Sequence, residues 1–266
     1  MKKIFLGFLL IVGSLMANDI SAYLYGKFQN ADEVKKTLSS NGLETIGEYD
    51  AMGDSNYHIL VYTSKELKMM ASKKDRGFAG VQKVLIDKKD NLLVFTNPNY
   101  FIRAFMQKDL DGLMLAITKN RLNNIYKDLK GSPQKVHKDK LSGYHFMFGM
   151  PYYEDMITVA KGKDLAVTLE KNAKGKIVFK LPLKNSILYG VYMDTKDGEK
   201  SYITKLKQQK HSAFLPYMVL IEDNKAKILN PKYYLAISLP DVSLGQFMTI
   251  SSTPGHIEDF FKSLFK

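Results

Sequence analysis

Val84-Leu85-Ile86-Asp87-Lys88-Lys89-Asp90-Asn91-Leu92-Leu93-Val94-Phe95-Thr96-Asn97-Pro98-Asn99-Tyr100 returns later in the chain as Val219-Leu220-Ile221-Glu222-Asp223-Asn224-Lys225-Ala226-Lys227-Ile228-Leu229-Asn230-Pro231-Lys232-Tyr233. In both stretches an apolar β run, a polar tip and a second β run lead into Asn-Pro-x-Tyr. The asparagine suits a helix N-cap, and the proline suits the first helical position, where its missing N–H costs nothing. Self-similarity of this kind indicates one structural unit used twice.

Upstream of the first hairpin, residues 23–28 predict a strand. A helix follows it, capped by Asn30 and Glu33, lined by Ala31, Val34 and Leu38 and stopped at Asn41-Gly42. Residues 43–49 and 57–62 predict two more strands, and Thr63 with Glu66 opens a short helix carrying Leu67, Met70 and Ala71. Beyond the hairpin a helical stretch over 98–129 restarts near Asp109, with Leu110, Leu113, Met114, Ile117, Ile125 and Leu129 as its buried stripe. In the second half the same order predicts a strand at 144–150, a helix at 151–160, and a hairpin of 165–169 with 177–181. A strand at 187–193 and the second signature hairpin follow. The chain ends in an amphipathic helix whose apolar face holds Ile257, Phe260, Phe261, Leu264 and Phe265. The expected class is α+β: two similar β-α-β-β-α-β-β-α domains with antiparallel-rich sheets and helices on one face. The first domain covers 18–130, a polar linker 131–143, and the second domain 144–266.

Composition sets the rest. Aromatics make up 12% of the 266 residues and hydrophobics 45%, enough for a packed core. The net charge is +12, carried by lysine, with Arg76, Arg103 and Arg121 the only arginines. Lysine lacks the planar fork that reads bases and phosphates, so nucleic acid is not expected as a partner. Lys2-Lys3, the apolar stretch Ile4–Met16 and Ala17 read as a signal peptide at 1–17, cleaved after Ala17, with an uncleaved anchor as the alternative. The protein is then exported, periplasmic in a Gram-negative bacterium and secreted otherwise, with no transmembrane segment after cleavage. The absence of cysteine excludes disulfides, thiol catalysis and a lipid-modified cysteine.

Each half resembles the domain of unknown function 302 family. The resemblance lies in the order of helix, paired strands, short helix and hairpin and in the helix starts at Asn97-Pro98-Asn99-Tyr100 and Asn230-Pro231-Lys232-Tyr233. It covers most of 23–130 and, more loosely, 144–266. It implies the α+β fold and no particular activity.

No catalytic spacing gathers His58, His137, His145, His211 and His256, and no cofactor is expected. The expected role is therefore a non-catalytic binding or accessory module for a small apolar or amphipathic ligand or an anionic envelope component. Its ligand would sit between the halves against Tyr100, Tyr233, Asn97 and Asn230. Two alternatives stand beside it. One is an enzyme whose site forms only in three dimensions, joining His58 or His145 to a carboxylate. The other is a copper site at His145, Met147 and Met150, whose imidazole and thioether groups suit Cu(I).

Overall fold

The computed structural model describes residues 18–266, so the expected leader at 1–17 lies outside the described residues. The first half runs β1 (Asp19–Ser21), β2 (Tyr23–Lys27), α1 (Ala31–Ser39), β3 (Glu44–Asp50), β4 (Tyr57–Thr63), α2 (Lys65–Ala71), β5 (Gln82–Asp87), β6 (Leu92–Thr96), α3 (Pro98–Met106) and α4 (Gly112–Ile125). Two short strands, β7 (Lys130–Gly131) and β8 (Lys135–His137), join it to the second half. That half runs β9 (Ile157–Lys161), α5 (Leu165–Asn172), β10 (Ile177–Pro182), β11 (Ser186–Val191), α6 (Glu199–Leu206), β12 (Tyr217–Glu222), β13 (Lys225–Ile228), α7 (Pro231–Ser238), α8 (Leu244–Thr249) and α9 (Thr253–Ser263).

The fold is α+β, and its strand pairs are all antiparallel. One sheet has the order β3-β4-β5-β6-β2-β7 and the other β10-β11-β12-β13-β9. Apart from β7, the strand order relative to the chain is the same in both. Both signature hairpins form where the sequence places them, with Asp87 opposite Leu92 and Glu222 opposite Lys225. The second tip is a two-residue turn with positive φ at Asp223 and Asn224, the left-handed geometry that matches the twist of a hairpin. Asn97 and Asn230 cap α3 and α7, accepting from the N–H groups of Asn99 and Lys232, with Pro98 and Pro231 in the first turn.

The opening of the second half differs from the expectation. Residues 144–150 form no strand, residues 151–160 form no helix, and β9 is the first strand. Residues 165–169 belong to α5 rather than to a hairpin, because Leu165 and Leu169 are spaced to bury one helical face. β10 consequently pairs with β11. The expected linker is also tied down: β7 pairs with β2 and β8 with β1, while Ser132 and Gln134 are buried. In α4 the buried residues are Leu115, Thr118 and Leu122, whereas Leu113 and Ile117 face solvent. The restart at Asp111, whose side chain accepts from Leu113 N and Met114 N, rotates the stripe from the one expected.

The first sheet is covered on both faces rather than one. Val34 and Leu38 of α1 and Leu122 of α4 pack on Leu60, Tyr62, Val84, Ile86, Leu93 and Phe95. The alternate side chains Ile59, Val61, Leu85 and Val94 belong to a second core shared with the other half. The halves meet closely where β3 passes β10: a Cβ on Gly47 would lie 2.2 Å from the carbonyl oxygen of Val178. Replacing Gly47 with alanine is expected to lower stability by about 1–3 kcal/mol, the usual cost of overpacking, read as a lower urea midpoint at unchanged slope.

Candidate functional site

The interface between the halves, where a ligand was expected, is closed. Tyr100 and Tyr233 are buried, and each donates its hydroxyl across the interface, Tyr100 to the Ile237 carbonyl at 2.8 Å and Tyr233 to the Ala104 carbonyl at 3.0 Å. Each acceptor lies four residues beyond the other tyrosine, so the two bonds are reciprocal. They satisfy carbonyls in the last turns of α7 and α3, which have no partner within their own helices. Burial raises both phenols well above their ordinary pKa. Phe101, Phe105, Tyr153, Phe214 and Tyr234 fill the surrounding space in a continuous aromatic cluster. Tyr100 and Tyr233 therefore hold the halves together and offer no face to a ligand, while Asn97 and Asn230 serve as helix caps. Tyr100→Phe strips the buried Ile237 carbonyl of its donor and is expected to cost roughly 1–3 kcal/mol. Tyr233→Phe is expected to cost less, because Gln107 Nε2 also donates to the Ala104 carbonyl; urea unfolding of the two variants gives the ranking.

Two ionisable groups that sequence patterns did not single out lie inside this interface. Lys83 on β5 is buried, and its ammonium donates to the Phe214 carbonyl, to the Pro216 carbonyl at 3.2 Å and to the Tyr234 hydroxyl at 3.3 Å. Glu199 at the start of α6 is fully buried and accepts from the Tyr49 hydroxyl at 3.0 and 3.1 Å. Loss of hydration pushes Lys83 down to about 7 and Glu199 up to about 8, each partly opposed by the field of the other. A depressed lysine in a cleft would suit nucleophilic chemistry. The void beside Lys83 is only about 10 Å³, however, room for one water and not for a substrate. The pair acts on stability instead. Glu199, raised from 4.5, contributes stability that is full below that pH and lost as pH rises through about 8. Lys83, lowered from 10.5, contributes stability that is full above that pH and lost as pH falls through about 7. Relative to wild type, Glu199→Gln is expected to gain stability progressively from pH 5 to 8. Any relative advantage of Lys83→Met shrinks from pH 7 to 10. Urea midpoints across that range test both, and pH-independent differences would contradict them.

The histidines do not form a catalytic pair. His58 lies on the outer surface of β4, bonded to Asp50 at 2.7 Å and Glu48 at 3.3 Å. His145 stacks on Tyr152 with ring centroids 4.6 Å apart and has no carboxylate partner. His211 is partly buried between Tyr25, Gln134 and Gln208, and desolvation lowers it to about 4.

The three residues of the copper reading do not all line one pocket. Met147 and Met150 line an apolar groove, while His145 lines a neighbouring hollow with His137, Asp139 and Tyr144. Among the described residues, no group of three or more His, Asp or Glu side chains is arranged to hold a metal.

That groove is the candidate site. It encloses about 240 Å³ between the 146–150 segment, α7 and the short helix α8. Phe146, Met147 and Met150 form one wall, Leu235 and Ala236 the floor, and Leu244, Phe247 and Met248 the other wall. Phe146 closes on Phe247 edge to face at 5.0 Å. A reciprocal capping box between Ser243 and Gln246 fixes the start of α8, yet none of the residues of that helix is buried. Lys232 is the only charged residue lining the groove. A pocket with apolar walls and one cation can hold an apolar chain and orient an anionic end. Two of these wall residues, Met147 and Met150, stood out in the sequence as part of a methionine cluster. The opposite wall did not, because it lies about a hundred residues further along the chain. Comparison with protein-family models, with curated proteins and with solved structures finds no match.

Proposed function

We propose that this chain is an exported, non-catalytic binding protein for a small amphiphile with an apolar tail and an anionic head. The observation that carries this reading is the groove, whose lining is almost wholly apolar and holds a single charge, on Lys232. Thioether and phenyl side chains adapt to a flexible hydrocarbon chain better than branched aliphatics do. The charged leader pattern at 1–17 supports export. Among the described residues, no helix is long and apolar enough to cross a membrane. The shared strand order of the two sheets supports reading the halves as copies of one unit.

Dodecanoate is the first ligand to try, by native mass spectrometry and by displacement of a fluorescent fatty acid. One molecule per chain is expected. Met150→Glu, which places a carboxylate in the apolar wall, is expected to weaken binding by at least about tenfold, or roughly 1.4 kcal/mol. Lys232→Gln should weaken dodecanoate but leave dodecanol unchanged. If no chain length from octanoate to hexadecanoate binds, the reading is wrong.

A further inference from the structure

Nine large hydrophobic side chains are exposed among the described residues, and five of them fall in two short segments: Met147, Phe148 and Tyr152 in one, Leu244 and Met248 in the other. These segments are far apart in sequence but adjacent in space, since Phe146 packs on Phe247 and both walls enclose the same groove. Phe148 is 99% exposed. It sits in a turn closed by the bond from Met150 N to Met147 O at 3.0 Å, with Gly149 at φ 78° supplying the left-handed residue. The fold thus holds a phenyl ring in water at the tip of a formed turn, and nothing among the described residues covers it. Scattered exposed apolar residues need no explanation, but a contiguous patch marks a contact surface.

Charge identifies the partner. Neither segment carries a carboxylate: the nearest in sequence are Asp139 and Glu154 on either side of the first, and Asp241 and Glu258 on either side of the second. Lys232 stands in the groove, while the adjoining hollow that holds His145 and Phe146 is lined by Lys135 and Lys140 together with Asp19 and Asp139. A second copy of this chain would bring the same lysine and a net positive charge against it, so self-association through this face is opposed. An anionic bilayer surface complements it, because aromatic and aliphatic tips bury at the head-group boundary while lysines remain at the phosphates.

We infer that the face formed by residues 146–152 and α8 docks on an anionic lipid bilayer, with Phe148 and Met147 entering the interface and Lys232 facing lipid phosphates. The inference rests on the preceding reading only in placing the mouth of the groove at the source of its amphiphile; docking does not require the groove to be filled.

The test is co-sedimentation of the chain from Asn18 onward, which holds both described cores, with vesicles of phosphatidylethanolamine containing about a third phosphatidylglycerol. Wild type is expected to bind, to bind phosphatidylcholine vesicles more weakly, and to be released by salt. Phe148→Glu is expected to lower binding about tenfold or more, while Val167→Glu, an equally drastic change at an exposed residue of α5, leaves it unchanged. Phe148 does not line the groove, so Phe148→Glu keeps wild-type dodecanoate binding and urea midpoint. Loss of dodecanoate binding in wild type would sink the ligand reading without touching this one. Docking is overturned if wild type ignores anionic vesicles, if Phe148→Glu binds them as well as wild type, or if light scattering shows a dimer that Phe148→Glu dissociates.

Discussion

The last turn of α7 is where the two halves become one body. Its carbonyls at Ala236, Ile237 and Ser238 accept hydroxyl bonds from Tyr144 at 3.2 Å, Tyr100 at 2.8 Å and Tyr23 at 2.7 Å. A helix end that is buried must find outside donors for its final carbonyls, and here the donors come from the first half and from the segment joining the halves. Tyr233 returns the same service to α3. With the helix ends sealed by phenols, the space between them is packed with rings and admits no ligand. The seal at α7 therefore decides the location of any binding site: it has to lie on the outside.

Buried charge makes the same junction specific. Arg76 is nearly inaccessible, yet it bonds Asp109 within its own half and Glu154 in the segment leading to β9, with its guanidinium 5.1 Å from the centre of the Tyr153 ring. Lys227 of the second half reaches Asp75 of the first as well as Glu222 at 2.8 Å. Ion pairs of this kind recover their desolvation cost only when the geometry is right, so they penalise any other docking of the halves more than they strengthen this one. Lys83 and Glu199 extend the principle: each is fully hydrogen-bonded, and each is held close to neutrality by lost hydration. A lysine with a shifted pKa is here a structural group, because no cavity gives a substrate access to it.

The sequence made some of this legible and hid the rest for physical reasons. Local chemistry was readable: the polar hairpin tips, Asn-Pro helix starts, the Asn30–Glu33 capping box and the C-terminal stripe of Ile257, Phe260 and Phe261 all appear where their residues require them. The opening of the second half was not readable, since the short apolar run at 165–169 satisfies strand alternation and helical spacing alike. Tyr100 and Tyr233 carried a correct signal of equivalence, but whether they faced a ligand or another helix depended on how two distant segments meet. Lys83 was hidden for a similar reason. A lysine in a β run looks like a solvated edge residue until its three acceptors arrive from residues 214–234.

Comparing the two halves element by element isolates the part that the fold itself does not require. In the first half α1 and α4 cover the outer face of their sheet. In the second, α5 and α9 stand in the corresponding places: Ile257, Phe260 and Phe261 of α9 are buried, and Asn172 at the end of α5 donates to the final carbonyls of the chain at Leu264 and Lys266. Between α3 and α4 the chain makes only a short turn at Gln107–Asp109, whereas between α7 and α9 it inserts α8, capped at its start and buried nowhere. A helix with Leu244 and Met248 exposed and only Phe247 packed against the core gains little from folding against it. Its ordering costs conformational entropy that its contacts barely offset. The wall built by α8 is thus an addition to the order of elements that the two halves share, and an apolar ligand or lipid surface would supply the burial that this order leaves undone.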